Sequence, residues 1–142
     1  MRKIILIGML FLGLVLFISG CEKLNIQGNT EVYIENYRLE PSTVIPNEEF
    51  NLIYDIKNPT EADRTVFLEI TVSNNVERVS ASYNRINIGD IKSKTSKSFF
   101  NKFRVRESED IQKITLKLFS TESSTEPIYI KEIPIEVAIS AR

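Results

Sequence analysis

Phe50-Asn51-Leu52-Ile53-Tyr54-Asp55-Ile56-Lys57 and Val66-Phe67-Leu68-Glu69-Ile70-Thr71-Val72 carry the fold in their spacing. Side chains of an extended chain alternate between two faces, so Phe50, Leu52, Tyr54 and Ile56 share one side of the first stretch. Val66, Leu68, Ile70 and Val72 do the same in the second, and Ile114, Leu116 and Leu118 repeat the pattern further on. A strict period of two is what a half-buried antiparallel strand requires, with one face on a core and the other toward water.

Working outward, similar segments rich in Ile, Val, Phe, Tyr and Thr recur between clusters of Pro, Asn, Ser and Asp. Strands are expected at roughly Glu31 to Leu39, Glu49 to Lys57, Thr65 to Ser73, Val76 to Tyr83, Lys97 to Val105, Gln112 to Ser120 and Ile128 to Ile139. Strands at this spacing predict an all-β antiparallel sandwich of about seven strands. Pro46-Asn47 suits a turn before the second strand and Asn58-Pro59-Thr60 ends it, while Asn74-Asn75 suits a tight hairpin because Asn tolerates positive φ. Ile86 and Ile88, ahead of Gly89-Asp90, read as a short extended crossover between sheets. Pro134 lacks the amide hydrogen of a central strand, so the last strand is expected at an edge or with a bulge.

The N-terminus has a different character. Arg2 and Lys3 precede an apolar run from Ile4 to Ile18, and small residues lead into Cys21. This is the charged, apolar, small-residue order of a secretory signal, and the run is shorter than the roughly twenty residues that cross a bilayer comfortably. Ile18-Ser19-Gly20-Cys21 resembles the lipobox of prokaryotic lipoproteins. That resemblance implies a diacylglyceryl group on the Cys21 thiol and cleavage just before it. Residues 1–20 would then be signal peptide, 21–30 the lipidated cysteine and a polar tether, and 31–142 the folded domain. An uncleaved anchor helix, with Cys21 packed as a small hydrophobe, is the competing reading. With the basic residues inside, both readings put residue 22 onward outside the cytoplasm, at the outer face of a membrane. Two acyl chains meet the requirement for stable attachment, each buried methylene contributing about 0.8 kcal/mol.

Composition narrows the chemistry. There is no histidine, and Cys21 is the single cysteine. Ser-His-Asp and Cys-His machinery and the usual Cys/His zinc sites are therefore excluded. Gly8, Gly13 and Gly20 lie in the leader, and Gly28 and Gly89 are too far apart for a P-loop or dinucleotide fingerprint. Without Arg2 and Lys3 the chain keeps 16 basic against 19 acidic residues, a net charge of −3. That is no electrostatic footprint for nucleic acid. No cofactor or metal is expected, and without an internal disulfide the exported domain must depend on its apolar core.

Three runs carry a further resemblance: Val44-Ile45-Pro46-Asn47-Glu48-Glu49-Phe50, Tyr54-Asp55-Ile56-Lys57-Asn58-Pro59-Thr60, and Ile88-Gly89-Asp90-Ile91 leading to Phe99 and Phe103. Together they resemble the immunoglobulin-like modules of prokaryotic surface proteins, the adhesion-related CARDB family in particular. The resemblance implies an immunoglobulin-like topology in which the third and sixth strands are neighbours. The chain has no tryptophan and no cysteine pair, both of which antibody-type cores use, so aliphatic and phenylalanine packing must substitute.

Candidate sites are few. Glu107, Glu109 and Asp110 form an acidic loop cluster, better read as solvated than as a calcium site because no EF-hand spacing accompanies it. Lys92-Ser93-Lys94-Thr95-Ser96-Lys97 lacks Ser-x-x-Lys spacing and reads as a polar turn. Asn58-Pro59-Thr60 has proline where a glycosylation acceptor forbids it. The informative irregularity is apolar residues out of phase with the core. Phe67 and Phe119 should stand side by side on the outer face of one sheet, open to water, joined by Tyr129 from the last strand. Ile53 and Phe100 are their counterparts on the other sheet. Contiguous exposed apolar area marks interaction surfaces, so Phe67, Phe119 and Tyr129 form a candidate surface for a protein partner. The expected function is a non-catalytic, lipid-anchored cell-envelope protein with a binding, adhesion or assembly role. The alternatives are an accessory carbohydrate-binding module, for which the lack of tryptophan is a poor sign, and a small lipid-anchored enzyme.

Overall fold

The computed structural model describes residues 31–79, 85–107 and 110–138. Eight strands form there: β1 Tyr33–Glu40, β2 Glu49–Lys57, β3 Arg64–Val72, β4 Val76–Arg78, β5 Arg85–Ile91, β6 Ser96–Val105, β7 Gln112–Phe119 and β8 Tyr129–Ile135. They make two four-stranded sheets with orders β1-β2-β6-β4 and β5-β3-β7-β8, antiparallel throughout. The expected all-β immunoglobulin-like sandwich is what forms, with one strand more than the pattern suggested.

The decisive alternation becomes the core. Phe50, Leu52, Tyr54 and Ile56 of β2 are buried, facing Val66, Leu68 and Ile70 of β3 and Ile114, Leu116 and Leu118 of β7. Phe103 of β6 stacks on Phe50 at 5.9 Å between ring centroids, and Phe99 stacks on Tyr54 at 6.1 Å. Both ring pairs join neighbouring strands of the first sheet, and with the aliphatic side chains they fill a core built without tryptophan or a disulfide. The Tyr54 hydroxyl donates to Asn101 Oδ1 at 2.7 Å, which satisfies the one polar end of a buried ring. Burial pushes the Tyr54 phenol well above its usual pKa, so it remains a neutral donor.

Turn chemistry follows the residues. Glu48 N donates to Ile45 O at 3.2 Å across Pro46-Asn47, with Asn47 at φ 65°. Proline at the second position and a left-handed residue at the third define a type II turn. Val44 bridges Val137 in parallel, and Ala138 N donates to Val44 O at 2.9 Å, which ties this loop to the far end of β8. β8 is an edge strand, so Pro134 sits where the sequence required it.

Two local readings are corrected. Asn74-Asn75 does not close a hairpin: Val76 N bonds Ser73 O at 3.0 Å, but β4 pairs with β6, so the turn carries the chain from one sheet to the other. Ser73 Oγ accepts from Lys113 N at 2.9 Å and Ser73 N donates to Lys113 O at 3.0 Å, which fastens the end of β3 to β7. The stretch around Ile86 and Ile88 is no crossover but the edge strand β5, paired with β3. A bulge between its pairings to Val66 and Phe67 breaks the alternation, and Gly89 supplies the left-handed φ of 80° there. No atom lies within 4 Å of a Cβ built at Gly89, so backbone conformation rather than space calls for glycine. Of the expected strand Val76 to Tyr83, Val76–Arg78 forms β4, and Tyr83 and Ile139 lie outside the described residues.

Candidate functional site

Cys21, with Ile18, Ser19 and Gly20, lies outside the described residues, as does Glu109. Among the described residues, no group of three or more His, Cys, Asp or Glu side chains is placed to hold a metal ion. The lysines after β5 are engaged by acidic neighbours. Lys92 pairs with Asp63 at 2.7 Å and Lys94 with Glu61 at 2.7 Å. The Lys92 ammonium and Ser93 N hold the Asp63 carboxyl below its ordinary pKa.

Two outer faces remain, one per sheet. On the second sheet, Phe67 and Phe119 are direct cross-strand partners, the adjacency expected of the third and sixth strands in the sequence pattern. Their expected exposure is corrected. Phe67 is half-buried, and Phe119 is 2% exposed although its strand position points outward. The cover is Arg85, whose guanidinium carbon stands 3.5 Å from the Phe119 ring centroid. Arg85 is held in turn by Glu69 at 3.2 Å and by the carbonyls of Glu122 at 2.6 Å and Ser124 at 2.8 Å. Lys117 completes the set on Glu69 at 3.2 Å. A planar cation that donates in several directions can cap a ring and fasten a loop at once. Substituting Phe119 therefore removes a buried ring rather than a solvated one.

Tyr129 is corrected as well. It pairs with inward-facing Leu118, so it lies on the inner side of β8, packed against the core beside Tyr33 at 6.3 Å. The bulge at Gly89 breaks the alternation after Arg85, so the sequence pattern does not show this cation as a strand residue. Read as a strand beside β3, Arg85-Ile86-Asn87 would have placed a cation opposite Glu69.

The first sheet's outer face is different. Ile53 and Phe100, the expected counterparts, are direct cross-strand partners, and Phe100 is 69% exposed. They line a shallow groove of about 340 Å³ together with Glu40, Asn51, Ser98 and Phe99. Ser98 Oγ donates to Asp55 Oδ1 at 2.5 Å and Asn36 Nδ2 donates to Asp55 Oδ2 at 3.2 Å. These two bonds, Ser98 first, hold the Asp55 carboxyl below its ordinary pKa, so it is a committed anion at neutral pH. Asn51 Oδ1 is buried without a hydrogen-bond partner.

The two antiparallel four-stranded sheets, β1-β2-β6-β4 and β5-β3-β7-β8, form an immunoglobulin-like sandwich. No protein-family model matches the chain, and no curated protein matches it. Solved structures do. A crystal structure of Escherichia coli alpha-2-macroglobulin from domain MG7 to the C-terminus matches 78% of this chain at TM-score 0.59 and 18% identity. This chain spans 17% of that one, and 6% of the native conformation of the same protein solved by electron microscopy, which it matches at TM-score 0.57. The CARDB domain of a Pyrococcus furiosus protein, solved in complex with di-metal ions, matches 76% of this chain and 86% of its own length at TM-score 0.52 and 12% identity. The shared feature is the immunoglobulin-like fold.

Proposed function

We propose that this protein is a non-catalytic binding module, displayed at the outer face of a membrane through lipid on Cys21, and that its working surface is the grooved outer face of the first sheet. The observation that carries the reading is Phe100. A phenylalanine 69% exposed in the middle of a strand, above a concave surface, has no packing role to explain it. On the other outer face, Phe119, expected to be open to water, is covered by Arg85 and its ion pairs. The charged and apolar order of residues 2–21 supports display outside the cytoplasm. The fold is compatible with a binding, adhesion or assembly role and does not choose among them.

Photo-crosslinking in cells tests this. With p-benzoylphenylalanine at Phe100 of the full chain, discrete adducts are expected on irradiation. The same probe at Thr115, on the outer face of β7, should give none of them. Equal labelling from both positions, or none from Phe100, contradicts the assignment of the face.

A further inference from the structure

The groove's chemistry specifies the kind of ligand that fits it, if the binding reading of this face holds. Its polar lining presents acceptors. Glu40 brings an exposed carboxylate to the rim, Ser98 has committed its proton to Asp55, and Asn51 Oδ1 has no partner. Asn51 is half-buried in the lining and its oxygen is shielded from solvent as placed, so a ligand reaches it when the terminal amide turns about its soft torsion. An unpaired buried acceptor is unfavourable, and a donor arriving from the groove relieves it. The apolar wall is the ring of Phe100 beside Ile53.

Charge narrows the choice. Lys102, cross-strand partner of Asn51, is paired with Glu49 at 3.2 Å. Arg38, cross-strand partner of Ile53, lies close enough to Asp55 to help lower its pKa. With Arg104, which also pairs with Glu49, the cations Arg38, Lys102 and Arg104 stand against the carboxylates Glu40, Glu49 and Asp55, a balance that favours a neutral ligand over a cation. We propose that the groove binds a neutral sugar ring. The ring would lay its C–H face on Phe100, whose π-face carries the complementary partial charge, and donate hydroxyl protons to Asn51 Oδ1 and Glu40. A volume of about 340 Å³ lies at the small end of ligand sites and suits one or two rings.

The test uses the full-length chain in phosphatidylglycerol nanodiscs, titrated with cellotriose, maltotriose and N,N′,N″-triacetylchitotriose while NMR follows the Ile53 methyl groups and the Asn51 side-chain amide. Saturable shifts at both positions with at least one trisaccharide are expected. Phe100→Ala should weaken that binding by roughly tenfold or more, and Phe100→Tyr should restore it. An unchanged thermal midpoint for Phe100→Ala shows that the loss is not unfolding. Silence with all three sugars, shifts that survive Phe100→Ala, or a stronger response to tetramethylammonium overturns the proposal. Polypeptide adducts from the Phe100 crosslinker alongside silent sugars would leave the binding face standing and remove the sugar.

Discussion

Leu68→Ala is expected to destabilise the domain by about 2 to 5 kcal/mol, because it removes a buried branched side chain and leaves a cavity that the two sheets cannot close. Leu68 is 2% exposed in the middle of β3. Its strand pairs on one side with Ile86 and on the other with Leu118, so neither neighbour can shift inward without giving up ladder bonds. Glu69→Ala, one residue along, should cost less, about 1 to 2 kcal/mol. Its carboxylate lies on the outer face, paired with Arg85 and Lys117, so its removal loses charged hydrogen bonds but leaves no core cavity. Urea titration of both variants checks the contrast. Comparable losses at the two positions would mean that the phase of β3 is wrong.

The second large effect belongs to Asn58, whose side chain makes four hydrogen bonds. It is 0% exposed at the end of β2. Its Nδ2 donates to Ala62 O at 2.8 Å and Ile91 O at 2.9 Å, and its Oδ1 accepts from Thr60 N at 3.0 Å and Thr60 Oγ1 at 2.8 Å. Its backbone N adds a bond to Thr95 O at 2.9 Å. One side chain thus closes the turn after β2 and joins it to the end of β5. Asn58→Ala strands the carbonyl of Ile91 in the interior, and an expected loss of about 2 to 4 kcal/mol follows from the orphaned groups. Asn58→Asp should be at least as damaging, since a carboxylate would face two carbonyls that need donors. Chemical unfolding of the two variants reads this directly. A loss under about 1 kcal/mol in both would show that water replaces the bonds.

These two residues mark what the sequence can and cannot disclose. Leu68 was legible because a half-buried strand writes its burial into a period of two, which β2 keeps throughout and β3 and β7 keep up to their last residues, where Val72, expected on the core face, is exposed and outward-phased Phe119 is buried. β5 was not legible, since its bulge at Gly89 breaks the alternation and its burial follows no simple phase. Asn58 read as a failed glycosylation acceptor in a turn, and its four side-chain bonds include one to a residue 33 positions away. Phe119 shows the limit most clearly. Its phase correctly directs it away from the core, but its cover is Arg85, 34 residues back in the chain and placed by tertiary pairing. Phase placed Ile53 and Phe100 on the outer face of the first sheet, but their pairing and the groove they line depend on the register of β2 with β6.

Display outside the membrane through Cys21 is the claim on which the rest of the functional account depends, and the mature N-terminus tests it most directly. Mass spectrometry of the N-terminal peptide from protein purified out of membranes is expected to find a chain beginning at Cys21, with its thiol carrying diacylglycerol. A peptide that retains residues 1–20, or one in which Cys21 is an unmodified thiol, would contradict the account.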